Sequence, residues 1–122
     1  PSVFDRKYTY HCFKTPDVKL MQQAAQAFIG KHDFKNFSTA KKSKSTLRTV
    51  SDIEIYGDLE EIQITLKADD FLHNMARLMI GTLLDIGLGN RKKEDIDKIF
   101  AGKAAVSEPC DPKGLFLQEI IY

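Results

Sequence analysis

A chain of 122 residues, 43% hydrophobic and 29% charged, has the size and apolar content of one globular domain with its own core, which excludes a disordered tail or a fibrous repeat. The formal charge of +1 conceals a local imbalance. Between Asp33 and Asp52 stand Lys35, Lys41, Lys42, Lys44 and Arg48 with no acid among them, so an electrostatic partner meets that stretch first.

Residues 1–11, with their proline, aromatics and charges, read as a crossing segment rather than a central strand. Thr15, Pro16 and Asp17 then open a helix with a hydroxyl cap, a proline in the first turn and an acid facing the dipole. Val18, Met21, Ala25, Phe28 and Ile29 form its buried stripe, and Gly30 stops it. In the basic, hydroxyl-rich segment that follows, Phe34 and Phe37 pin the loop to the core rather than stack on bases. Val50, Ile53 and Ile55 mark a strand, Gly57 and Asp58 a turn, and Ile62, Ile64 and Leu66 a second, cleanly alternating strand.

From Phe71 to Gly87 the chain reads "FLHNMARLMIGTLLDIG", an apolar helix with one guanidinium near its middle. Leu72, Met75, Met79, Leu83 and Ile86 share one face. Arg77 points the other way, beside His73, Asn74 and Gly81 but bordered by Ile80 and Leu84. Two readings stand: the side chain snorkels to water, or it is a semi-buried cation awaiting a carboxylate or phosphate. Asn90 caps a shorter helix whose Ile96, Ile99 and Phe100 face inward, and Gly102 ends it. After a loop with Pro109 and Pro112, "GLFLQEIIY" (Gly114 to Tyr122) is a terminal strand. The order helix, strand, strand, helix, helix, strand predicts an α+β ferredoxin-like fold, an antiparallel sheet with helices on one face, whose first strand is missing from the chain.

The chemistry-bearing residues are sparse. His11 beside Cys12, His32 and His73 lack the spacing that aims two side chains at one metal ion, so no metal site is expected. No elbow motif selects a nucleophilic serine. Cys12 and Cys110, far apart and without CxxC spacing, fit reduced thiols of a cytoplasmic protein, and Arg77 interrupts the longest apolar run, so neither a membrane span nor a signal peptide is expected. "GLGNRKK" is a helix stop followed by a cap, or a phosphate cradle in which Arg91, Lys92 and Lys93 crowd the positive end of a helix dipole. "FKNFSTAKKSKSTLRT" is a solvated loop or a grip on a nucleic-acid backbone.

Taken in order, "AAQAFIGKHDFKNFS", "LRTV", "FLHNMARLMIGTLLDIGLGN" and "GLFLQEIIY" resemble the C-terminal half of the tRNA pseudouridine synthase A family over essentially the whole chain. Phe71-Leu72, Met75-Ala76-Arg77 and Gly81-Thr82-Leu83-Leu84 are its most specific pieces; Ala76, where the family usually has valine, and Cys110-Asp111 depart from it. The resemblance implies a cofactor-free enzyme that isomerises uridine to pseudouridine in the tRNA anticodon arm through an aspartate in a Gly-Arg-Thr-Asp stretch. That stretch is absent from this sequence. Arg77 matches the arginine that pairs with this aspartate, and Leu115 matches a position packing against the base.

The family also uses a tyrosine in an Arg-Tyr-x-Tyr strand. "RKYTY" invites equating Tyr8 with it, but the spacing from Tyr8 through His11 to Asp17 matches the later aromatic segment before the helix start. The chain therefore reads as beginning just after the tyrosine strand, as a C-terminal domain (1–122) that is inactive alone and needs the N-terminal half of the same protein. Lys35, Lys41, Lys42, Lys44, Arg48, Arg91 and Lys92 are the expected tRNA-phosphate contacts, and a homodimer is the expected assembly. Two other classes stay open: a non-catalytic RNA-binding module, which predicts tight tRNA binding alone, and a dimerisation domain, which predicts self-association without RNA affinity.

Overall fold

A computed structural model describes residues 3–11, 14–39, 45–57, 60–107 and, as backbone, 116–121. Its strands are β1 (Phe4–His11), β2 (Gly30–Asp33), β3 (Leu47–Gly57), β4 (Glu61–Ala68) and β5 (Phe116–Ile121). The helices are α1 (Val18–Ala25), α2 (Met75–Gly87) and α3 (Asp95–Phe100), with 3₁₀ turns at Gln26–Phe28 and Lys35–Phe37. The sheet order is β2-β3-β4-β1-β5, and every pairing is antiparallel. Without the short edge strand β2, this is the strand arrangement of a ferredoxin-like sheet with its helices on one face.

One expectation is corrected. The segment 1–11 does not merely cross the domain: Phe4–His11 pairs with β4 on one side and β5 on the other, so the first-strand position is filled. The reason is a period-two pattern beneath the charges. Tyr8 and Tyr10 are buried toward the helices while Lys7 and His11 are exposed on the other face. Pro1, the residue that argued most against a strand, lies outside the described residues.

The hairpin forms as its alternation dictates. Ile53 faces Leu66, Ile55 faces Ile64, and a bulge between Val50 and Asp52 absorbs one extra residue. Ile62, Ile64 and Leu66 have no exposed surface, each worth about 1.5–3 kcal/mol of burial. The terminal strand is also as expected, whereas β2 carries no apolar alternation to announce it.

Helix boundaries move for local reasons. Asp17 caps α1, accepting the Leu20 N–H at 3.0 Å, where Thr15 was the expected cap. Asn90 does not cap α3. Its N–H bonds Asp85 O at 2.8 Å while Gly89 N–H bonds Ile86 O at 3.1 Å, a closure of α2 that requires the left-handed φ of +82° at Gly89. Gly102 closes α3 in the same way, as expected. Phe28, Phe34, Phe37 and Phe100 form one aromatic cluster, with Phe37 5.0 Å from Phe28 and 4.9 Å from Phe100. Phe34 and Phe37 are fully buried, so this loop is pinned as its phenylalanines predict.

Candidate functional site

Of the 13 residues of α2, all but Arg77 and Asp85 are buried, including Gly81, which the helical wheel had placed on a polar stripe. A helix buried around nearly its whole circumference belongs to the interior. Arg77, half-buried between Ile80 and Leu84, is therefore a cation set in the wall of the domain rather than one residue of a solvated face.

The helix starts four residues later than its apolar pattern suggests, because Phe71–Asn74 turns. The Phe71 N–H donates to the Asp70 carboxylate at 2.8 Å and Met75 N–H to Leu72 O at 3.0 Å. Asn74 adopts a left-handed φ of 61°, which asparagine tolerates better than most residues. Its side chain does not cap α2; its amide donates to Thr39 Oγ1 at 3.0 Å. Thr39 N–H and Ser38 Oγ both donate to His73 O, at 3.1 and 3.2 Å. Three hydrogen bonds thus fasten residues 38–39, which lead into the basic segment, onto the turn that opens the arginine helix.

A pocket of about 420 Å³ lies at this turn. Arg6 and Tyr8 of β1 form one wall, the segment Phe71–Asn74 another, and Met75, Ala76 and Arg77 of the first helical turn the third. The Arg6 guanidinium sits 5.1 Å from the centre of the Phe71 ring, a cation–π contact worth about 0.5–1 kcal/mol. No acid occupies the first turn of α2, so the positive end of its dipole adds to the guanidinium charge.

The other expected contacts divide. Arg48 is largely buried and committed internally: Nη1 donates to Ser45 O at 3.0 Å and Leu47 O at 2.7 Å, and Nε lies 3.7 Å from Asp70, which fastens β3 to the entry of α2. Arg91 is likewise a staple, donating to Ala105 O at 2.6 Å and Ser107 Oγ at 3.0 Å and pairing with Asp95 at 3.4 Å. The Lys92 amide and the Arg91 guanidinium hold the Asp95 carboxyl below its ordinary value. Lys35 and Lys92 are exposed. Residues 91–92 follow the C-terminus of α2, whereas Arg77 is at its start; 13 residues of helix separate those ends by about 20 Å, so the two basic groups do not converge. Lys41, Lys42, Lys44 and Leu115 lie outside the described residues. Among the described residues, no three His, Cys, Asp or Glu side chains gather as metal ligands, and no helix is long and apolar enough to cross a membrane.

Sequence reasoning missed Arg6 and Tyr8 as neighbours of Arg77. The alternation of Arg6, Tyr8 and Tyr10 with Lys7, Thr9 and His11 was the available signal. The Thr39–Asn74 bond had none, since 35 residues separate its partners.

Fold and pocket together define a ferredoxin-like domain with a pocket lined by two arginines where the first strand meets the second helix. Comparison with known proteins takes this further: a model of the tRNA pseudouridine synthase family matches residues 24–122. The chain is 42% identical over 127 residues to tRNA pseudouridine synthase A 2 of Clostridium perfringens, covering 100% of this chain and 51% of that protein. It is 41% identical to tRNA pseudouridine synthase A of Clostridium botulinum (strain Eklund 17B), over 98% of this chain and 50% of the relative. The match to the Halalkalibacterium halodurans enzyme of that name is 40%, over 84% and 39%. The chain belongs to the tRNA pseudouridine synthase family and spans about half the length of the curated relatives it matches.

Proposed function

We propose that this chain contributes the arginine half of a uridine-isomerising site acting on the anticodon arm of tRNA, the nucleophilic aspartate coming from an N-terminal half of the same protein. The observation that carries the reading is Arg77: a half-buried guanidinium on a pocket wall, in a helix whose other residues except Asp85 are buried, in a chain of this family.

The physics suits the role. A guanidinium beside a carboxylate keeps it ionised and fixes its orientation through a two-pronged contact, and buried Ile80 and Leu84 exclude water that would screen the attraction. The target base is extruded from its stack so that the carboxylate reaches the glycosidic carbon, where a C1′–O bond forms as the C1′–N1 bond breaks; the detached uracil turns, its C5 bonds C1′ as the carboxylate leaves, and C5 gives its proton to solvent while N1 gains one. Leu115 packs against the base and transfers no proton. Lys35, Lys41, Lys42, Lys44 and Lys92 hold tRNA phosphates without reading sequence, while Arg48 and Arg91 shape the surface that presents them. Arg77→Lys in the protein joined to its complementary half is expected to slow single-turnover isomerisation far more than it weakens tRNA binding. Equal losses in both would make Arg77 structural.

A further inference from the structure

We propose that residues 38–39 fix where the arginine helix begins, and that Thr39 and Asn74 are positioning residues for the isomerisation, acting through Arg77. The proposal rests on the reading of Arg77 as the partner of the nucleophilic carboxylate.

The apolar pattern favours a helix from Phe71, and the stretch Phe71–Asn74 contains neither proline nor glycine to forbid one. Such a helix would bond each N–H to the carbonyl four residues back, so the Arg77 N–H would use His73 O. In the structure that carbonyl accepts the Thr39 N–H at 3.1 Å and Ser38 Oγ at 3.2 Å, and the helix begins at Met75. Asn74 takes the left-handed φ of 61° that breaks the run, and its amide reaches Thr39 Oγ1 at 3.0 Å instead of capping α2. The other end of the turn is tied to β3, where the Thr49 N–H donates to Asp69 Oδ1 at 2.9 Å and the Asp69 N–H to Thr49 O at 3.0 Å. The turn is thus held at both ends by residues outside α2, and Arg77 follows its last residue by three positions. A left-handed asparagine is held against its own preference, so without the Thr39 oxygen it relaxes toward the right-handed region and the turn winds toward the helix. That relaxation shifts the pocket wall made by Phe71–Asn74 and the first helical turn that carries Arg77. A small misplacement of a group that orients the nucleophile slows the chemical step without weakening the grip on the rest of the substrate.

The test compares single-turnover isomerisation and tRNA binding in the protein joined to its complementary half, for Thr39→Val and Thr39→Ser, each with Arg77 and with Arg77→Lys. Thr39 is exposed, and valine keeps its backbone bond to His73 O while removing the oxygen that Asn74 uses. Thr39→Val is expected to slow the chemical step about three- to tenfold with tRNA affinity unchanged, and Thr39→Ser, which keeps the oxygen, to retain the wild-type rate. In the Arg77→Lys background Thr39→Val should slow the residual rate no further, because the group it positions is already gone. A purely structural role would instead cost the same factor in both backgrounds. Asn74→Gly keeps the left-handed turn without the amide and should show the same pattern, which carries the test if Thr39→Val does not fold. A wild-type rate in Thr39→Val, an equal loss in Thr39→Ser, a matching loss of tRNA affinity, or equal slowing in both backgrounds would overturn the proposal while leaving the reading of Arg77 intact. A wild-type rate in Arg77→Lys would overturn both.

Discussion

Replacing Asn74 with alanine separates what the turn before α2 owes to backbone conformation from what it owes to its side chain. At φ 61° an alanine Cβ is strained by about 1 kcal/mol more than asparagine, whose polar side chain tolerates this region. The lost amide donor to Thr39 Oγ1 adds about 1 kcal/mol, giving about 2 kcal/mol in all. Glycine removes the strain but also the hydrogen bond, and it loosens the unfolded chain, so Asn74→Gly should cost about 1–1.5 kcal/mol. Urea unfolding at 25 °C measures both. Combining Asn74→Gly with Thr39→Val should cost less than the sum of the single changes by about 1 kcal/mol, the coupling of one hydrogen bond. Equal stability of the alanine and glycine variants would refute the strain argument, and strict additivity would refute the bond that holds Thr39 on the turn before α2.

Gly87→Ala places a Cβ 2.7 Å from Met21 Cγ and 3.0 Å from Pro16 Cβ, where Asp17 N–H also bonds Gly87 O at 2.7 Å; thermal unfolding should show a loss of about 1–3 kcal/mol. Arg91→Gln should lower stability through the freed Ala105 carbonyl and Ser107 while leaving the salt dependence of RNA binding unchanged; a reduced slope would return Arg91 to the phosphate contacts. The Thr46 hydroxyl and the Lys35 amide hold the Asp33 carboxyl below its ordinary value of 3.8. A depressed folded-state value supplies stability above the unfolded value and loses it as pH falls through the folded one, so wild type should lose stability below about pH 4 and Asp33→Asn should lose less over that range, as read by urea midpoints at successive pH values.

The parts of this fold that were legible in the sequence are those whose burial is periodic within one element. The stripe of α1, the alternation of Ile62, Ile64 and Leu66 and the apolar mass around Arg77 all forecast their structure, because each is decided by the element's own face toward the core. The parts that were not legible are decided by partners distant in sequence. β1 gains its place from β4 and β5 on either side, so charges that argue against an isolated strand are tolerated on its open face. The helix start at Met75 depends on a left-handed asparagine and on Thr39. Arg48 and Arg91 read as surface cations from composition, yet nearby carbonyls and carboxylates claim their guanidiniums. The narrow polar stripe around Arg77 forecast a helix buried on nearly every side, whereas Arg6, which lines the same pocket, was hidden in a segment not read as a strand.

The most direct test of the central claim is tritium release from C5-labelled uridine in tRNA, since forming pseudouridine displaces that hydrogen. This chain alone should release none, a mixture with a separately produced N-terminal half should release it, and Arg77→Lys in the mixture should abolish most of it. Release by this chain alone, or undiminished release with Arg77→Lys, would contradict the account.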